Sequence, residues 1–217
     1  GNRERDIRNG SARSRKPTLA VSLEALRHVS WMLEYLANGR PPMENWRRYA
    51  PPNASGAEIA ALYAKNLFGP QTWETLKEIR AQWRGALVVK GVLHPEDAAL
   101  AVAAGADGVI VSNHGGRQVD RAPASIAMLP AVHAAVGARI PVMFDGGITR
   151  GSDIVAAMCL GASFAFVGRA TLYAVAACGL AGVAKAIQIL QQEMNLVLAT
   201  LGCPDVRALN ASYVRQL

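Results

Sequence analysis

The chain has 217 residues, 51% of them apolar and 18% charged, enough to bury a core and unlike a disordered or collagen-like polymer. The net charge of +7 is unevenly spread: residues 1–48 hold ten arginines and lysines against five acids, and everything after them carries only +2. One basic surface on a nearly neutral body argues against a whole-protein nucleic-acid binder and suits a face toward anionic lipid, RNA or solvent.

The three cysteines, Cys159, Cys178 and Cys203, are odd in number and widely spaced. No Cys-x-x-Cys pair suggests zinc or redox work, and a reducing cytoplasm fits them best. The uncharged stretches 154–168 and 170–184 hold 15 residues each, short of the roughly 18 to 20 needed to span a bilayer. No transmembrane helix is expected. Gly1 followed by arginines is neither a native start nor a secretory signal, which reads as part of a longer polypeptide.

In chain order, residues 3–16 are polar and basic. Residues 22–36 have helix-like apolar spacing at Leu23, Leu26, Val29, Leu33 and Leu36, and beyond them Pro41, Pro42, Pro51 and Pro52 interrupt regular structure. A helix is expected to start at Gly69-Pro70 and to carry the stripe Trp73, Leu76, Ile79 and Trp83. From Gly85 the texture turns regular. Apolar runs at 86–90, 108–112, 141–145 and 163–168 alternate with helical stretches at 95–104, 125–136 and 152–160. Continuous apolar strands separated by helices mean parallel pairing with helices covering the sheet, an α/β fold. The expected division is a basic excursion over 1–85 and a regular body over 86–217.

The polar residues decide between an open sheet and a barrel. Lys90, Ser112-Asn113-His114, Asp145-Gly146-Gly147 and Gly168-Arg169 all fall at or just after the carboxyl end of a strand, as on the active face of a (β/α)8 TIM barrel. The G-x-G-x-x-G turn of a Rossmann sheet is absent. At roughly 31 residues per βα unit, four units make about half a barrel.

The densest constellation runs from Ser112 to Asp120. His114 can take a proton near neutral pH, and Arg117 offers a planar fork to a carboxylate. His28, His94 and His133 lack such neighbours and read as structural or solvated. Lys90 closes an apolar strand, where an ammonium must face a carboxylate or an anionic ligand. Glycines and arginines at 145–151 and 167–169 form the sort of strand ends that hold a phosphate through backbone N–H groups and guanidinium.

Ser-Asn-His-Gly-Gly-Arg-Gln at 112–118, Val-Val-Lys-Gly at 88–91, Phe-Asp-Gly-Gly-Ile-Thr-Arg-Gly-Ser-Asp at 144–153 and Val-Gly-Arg-Ala at 167–170 resemble the FMN-dependent α-hydroxy acid dehydrogenases and oxidases. Residues 1–10 and 202–205 look most like the mandelate-oxidising members, and 181–194 also resembles the respiratory lactate-oxidising ones. The resemblance implies a TIM barrel of which only strands five to eight are present, and oxidation of an (S)-2-hydroxy acid, mandelate first, to the 2-oxo acid. L-lactate or glycolate is the alternative substrate. A non-catalytic half barrel or basic binding module is the alternative of another class, against which the retained Lys90, His114 and Arg117 weigh.

Residue by residue, the resemblance makes His114 the base and gives the substrate carboxylate to Arg117 and Arg3. Lys90 and Ser112 would sit at the flavin ring, Asp145 at the ribityl chain, and Gly146, Gly147, Gly168 and Arg169 at the phosphate loop. It further implies a homotetramer and a segment, here the basic excursion, that docks to anionic lipid on the cytoplasmic face of the membrane, with a quinone or cytochrome as acceptor. One departure stands out: the family shows two adjacent arginines after Asp-Gly-Gly-x, the first on the phosphate, and this chain has Thr149 then Arg150. That lowers phosphate affinity unless Arg150 compensates. With the N-terminal half of the barrel missing, the 217 residues alone are expected neither to hold FMN tightly nor to turn over.

Overall fold

The computed structural model describes residue 8 and residues 19–39, 43–67 and 71–215. The chain divides into two compact units, Asn2–Gln71 and Thr72–Leu217.

In the first unit the helix-like spacing over 22–36 corresponds to two helices, α1 (Leu19–Ala25) and α2 (Val29–Asn38), separated by a turn at 26–28. Leu23, Leu26, Val29, Trp31, Leu33 and Leu36 are all more than half exposed, and no residue of α2 is buried. Trp31 and Tyr35 stack, 5.4 Å between ring centroids. Two further helices come next, α3 (Glu44–Arg47) and α4 (Gly56–Leu67). The second has a readable start: Ser55 Oγ accepts the Glu58 N–H at 3.3 Å while Glu58 Oε2 accepts the Ser55 N–H at 2.7 Å, a reciprocal capping box. Trp46 meets Tyr63 edge-on at 5.4 Å, and Ile59 is buried.

The second unit opens with α5 (Trp73–Gln82), capped by Thr72, whose Oγ1 accepts the Thr75 N–H at 3.2 Å. Its expected start at Gly69-Pro70 falls outside the described residues. Then come β1 (Val88–Val92), α6 (Pro95–Ala103), β2 (Gly108–Val111), α7 (Ser125–Val136), β3 (Val142–Asp145), α8 (Gly151–Cys159), β4 (Phe164–Phe166) and α9 (Arg169–Thr200), with short 3-10 turns at His114–Gly116, Val206–Ala208 and Ala211–Tyr213. All four strands are parallel and stand in sequence order, β1-β2-β3-β4. The alternation of apolar strands and helices thus gives the α/β fold read from sequence, with each crossover made by a helix.

β2 is buried along its whole length, whereas the outer strands show exposed positions at Val88, Phe164 and Phe166. Val109, Val111, Val142 and Phe144 of the sheet pack with Ala98 and Ala101 of α6, Leu129 and Val132 of α7, and Ala157 of α8. The three cysteines are free, Cys159 and Cys203 buried and Cys178 exposed.

At the amino ends of the strands, Asp107 Oδ2 accepts the Leu87 N–H and pairs with Arg80, both at 2.8 Å. Arg80 also reaches the Gly85 carbonyl at 2.9 Å, tying α5 to β1 and to the turn before β2. The Leu87 N–H first, then Arg80, holds the Asp107 carboxyl below the usual aspartate range. A carboxyl lowered on folding stabilises above its unfolded pKa, and that contribution fades as pH falls below about 4. Asp107→Asn is therefore expected to flatten the acid limb of a stability-against-pH curve, followed by urea unfolding at stepwise lower pH; an unchanged limb would count against the assignment.

Helix α9 runs for 32 residues, and an 18-residue window of it has mean hydropathy 1.6 with none of that window buried. Among the described residues there is thus one helix long and apolar enough, by length and composition, to cross a membrane. Arg169 and Lys185 interrupt the uncharged run in sequence but not the helix. Its backbone departs from helical geometry at Cys178 and Gly179, which divides it into two arms.

Candidate active site

The functional residues come together because parallel strands deliver their carboxyl ends to one edge of the sheet. Lys90 lies in β1, where the pairing register with β2 shifts between Lys90 and Val92 around Gly91 at φ +98°. Such a bulge re-aims neighbouring side chains, and a glycine inside the strand was its sequence signal. From there Lys90 reaches across β2: Nζ lies 2.5 Å from Asp145 Oδ2 at the end of β3 and donates to Ser112 Oγ at 2.7 Å. The carboxylate demanded by an ammonium at that position is Asp145.

Ser112, 2% exposed, does not line the cavity. Its hydroxyl oxygen also accepts the His114 N–H at 3.0 Å and so links Lys90 to the histidine turn. That turn is left-handed at three consecutive residues, His114 (φ 58°), Gly115 (67°) and Gly116 (69°). The glycines take this conformation freely, while His114 is strained in it. The turn is closed by Asn113, whose Oδ1 accepts the Gly116 N–H at 3.2 Å.

Lys90, His114, Arg117, Asp145, Gly146, Gly147, Gly168 and Arg169 share one cavity of about 700 Å³, whose apolar wall includes Phe166, Leu172, Val175 and Val183. Among the described residues no side chain hydrogen-bonds the His114 imidazole. Arg3 lies outside the described residues. His94 instead caps α6, its Nδ1 accepting the Glu96 N–H at 3.3 Å, and His28 faces Glu24 at 3.7 Å.

Asn113 and Ser125 were given no role by sequence. Ser125, 3% exposed, donates to the Asp145 carbonyl at 2.8 Å, and a Cβ on Gly146 would lie 2.6 Å from its Oγ. Serine at the first position of a helix just after Pro123 was the available signal. Gly147, at φ +84° with nothing within 4 Å of a built Cβ, leaves its backbone open to the cavity.

The residue following Thr149 does not compensate for the departure there. Arg150 is absent from the cavity wall, and its Nη2 is 2.7 Å from Glu193 Oε1 of α9. Thr149 does line the cavity, its N–H and hydroxyl donating to Asp153 Oδ2 at 2.8 and 3.2 Å.

A family model described as FMN-dependent dehydrogenase matches residues 1–216. The chain belongs to the FMN-dependent dehydrogenase family. It is 39% identical over 216 residues to (S)-mandelate dehydrogenase of Pseudomonas putida, covering 99% of this chain and 54% of that protein. It is also 39% identical to an L-lactate dehydrogenase of Caulobacter vibrioides, covering all of this chain and 56% of that one. Among solved structures, a monotopic membrane protein, (S)-mandelate dehydrogenase, superimposes with a TM-score of 0.92 at 39% identity over all of this chain and 57% of its own. This family member therefore spans about half the length of the relatives it matches.

The cavity suits the family's cofactor on its own chemistry. Asp145 Oδ1 is buried without a hydrogen-bond partner among the described residues, an acceptor that a ribityl hydroxyl would satisfy. Cations lie on the wall at Lys90 and Arg169, and open backbone lies at Gly147, as a polar ring edge and a phosphate require.

Proposed function

We propose that these residues are the second half, strands five to eight, of a (β/α)8 barrel that oxidises an (S)-2-hydroxy acid with FMN, with residues 1–85 as the excursion after strand four. The observation that carries the reading is the meeting of Lys90, His114, Arg117 and Asp145 on one cavity, with Asp145 Oδ1 unpartnered. The two outer strands and the exposed face of α9, at Leu172, Tyr173, Leu180 and Leu196, supply the surface for the remaining strands and helices. FMN, when bound, supplies a ring that accepts the two electrons leaving the substrate α-carbon.

The chain's own residues do the rest. Arg117 binds the substrate carboxylate bidentately and fixes the orientation of the α-carbon. His114 takes the hydroxyl proton onto its free imidazole as the α-hydrogen departs, so that the alcohol becomes a ketone. Lys90, held by Asp145 and Ser112, would supply positive charge to the polar part of the flavin and favour its anionic reduced form. Asp145 Oδ1 would accept from a ribityl hydroxyl, and Gly146, Gly147, Gly168 and Arg169 would hold the phosphate.

Mandelate is the first substrate, and equal similarity to a lactate-oxidising relative favours L-lactate as the second. Turnover of the full-length protein with (S)-mandelate, L-lactate and glycolate side by side is expected to rank mandelate first; a faster rate with lactate would reverse the order. The isolated 217 residues are expected to give no turnover and only weak flavin binding, and submicromolar FMN affinity for them would sink the half-barrel reading.

The exposed apolar faces of α1 and α2, in a segment of +5 charge, support peripheral docking to anionic lipid on the cytoplasmic face of the membrane, with a quinone or cytochrome taking the electrons. Flotation is expected with vesicles containing anionic lipid and to weaken with Leu33→Glu. Flotation indifferent to both would remove membrane docking.

A further inference from the structure

We propose that Glu193, on the second arm of α9, is the positioning residue for the phosphate-holding end of the cavity. This rests on the FMN reading above and adds to it a residue that does not line the cavity. The Glu193 side chain is 22% exposed, and both carboxylate oxygens are committed to the loop that follows β3. Oε1 pairs with Arg150 at 2.7 Å, and Oε2 accepts the Gly151 N–H at 2.8 Å. Gly151 is buried, and a Cβ there would lie 2.6 Å from the Leu190 carbonyl oxygen, so the loop rests directly on the backbone of α9.

Asp153 completes the arrangement. Its Oδ2 accepts the Thr149 and Arg150 N–H groups, each at 2.8 Å. Two carboxylates therefore occupy three consecutive backbone donors, 149 to 151, that would otherwise be free at the start of α8. Glu193 also holds the Arg150 guanidinium, which is absent from the cavity wall. From the loop after β3 and the start of α9, Gly147, Thr149, Gly168, Arg169 and Thr171 line the cavity.

An anion held by one arginine and by backbone depends on that backbone being fixed in advance. Glu193 fixes it from behind, and it does so from the helix whose first residue is Arg169. The contact thus joins the segment after β3 to the second arm of α9 through one carboxylate.

The test uses the full-length flavoprotein, stripped of flavin and titrated separately with FMN and with riboflavin, which lacks the phosphate. Glu193→Ala is expected to weaken FMN about tenfold and riboflavin less than about twofold, and Glu193→Asp, too short to reach both partners, to weaken FMN by about fivefold. Arg150→Gln is expected to leave FMN within about twofold of wild type. Equal loss of both flavins in the Glu193 variants would show a structural role only and overturn the proposal. So would an Arg150→Gln loss as large as that of Glu193→Ala, or unchanged FMN affinity without the carboxylate. Glu193→Asp carries the test where the alanine variant does not fold. Wild-type protein that binds riboflavin as tightly as FMN would instead sink the underlying phosphate assignment.

Discussion

Replacing His114 by alanine in the full-length flavoprotein is expected to cut turnover by about 10²–10⁴-fold while the bound-flavin absorbance spectrum stays that of wild type. Among the described residues, His114 carries the one imidazole on the cavity wall, and Arg117 and Lys90 are cations with no lone pair to accept a proton. His114→Gly sharpens the test. A non-glycine residue at φ 58° is strained by about 1–2 kcal/mol, and glycine gives back part of that relief as unfolded-state entropy. The glycine variant is therefore expected to be as inactive as the alanine variant yet up to about 1 kcal/mol more stable than wild type. Opposite signs on turnover and on urea midpoint would mark a position selected for chemistry at the expense of the fold. Near-normal turnover in either variant would remove the assigned base.

Phe144→Ala should have the largest effect on stability. Phe144 is 1% exposed in β3 and sits within the cluster that joins the sheet to its covering helices. Deleting a buried aromatic side chain costs about 3–5 kcal/mol, a large fraction of the stability of an ordinary domain. Because Phe144 precedes Asp145, the loss is also expected to loosen the Lys90–Asp145 pair and so weaken flavin binding. A urea midpoint within error of wild type would show that the cluster is not the principal core.

Most of the second unit was legible because its strands are continuous apolar runs with polar residues at one end, a pattern that survives boundary errors of a residue or two. The ends of β1 and β4 were not legible. The bulge at Gly91 carries β1 on to Val92, while β4 is limited to Phe164–Phe166. Helix α4 was missed although Ser55 and Glu58 announce it, because the prolines before it drew the segment toward loop. The length of α9 was hidden by Lys185 and Glu193, which divide its apolar run.

Within the site, the residue types and their common edge could be read, but their pairings could not. Lys90 and Asp145 are 55 positions apart and meet only through the register of three strands. Glu193 and Gly151 meet through the packing of α9 on α8, for which no local spacing rule exists. Arg150 shows the same gap: its sequence neighbours place it in a phosphate loop, and a carboxylate from elsewhere in the fold turns it outward.

The polar bridge from Asp145 through Lys90 to Ser112 and the histidine turn has a consequence for binding. Its members hold one another, so the side chains on this wall do not depend on a ligand for their placement. Side chains already ordered by one another add no further ordering cost for a ligand at this wall, which leaves more of the contact energy for affinity.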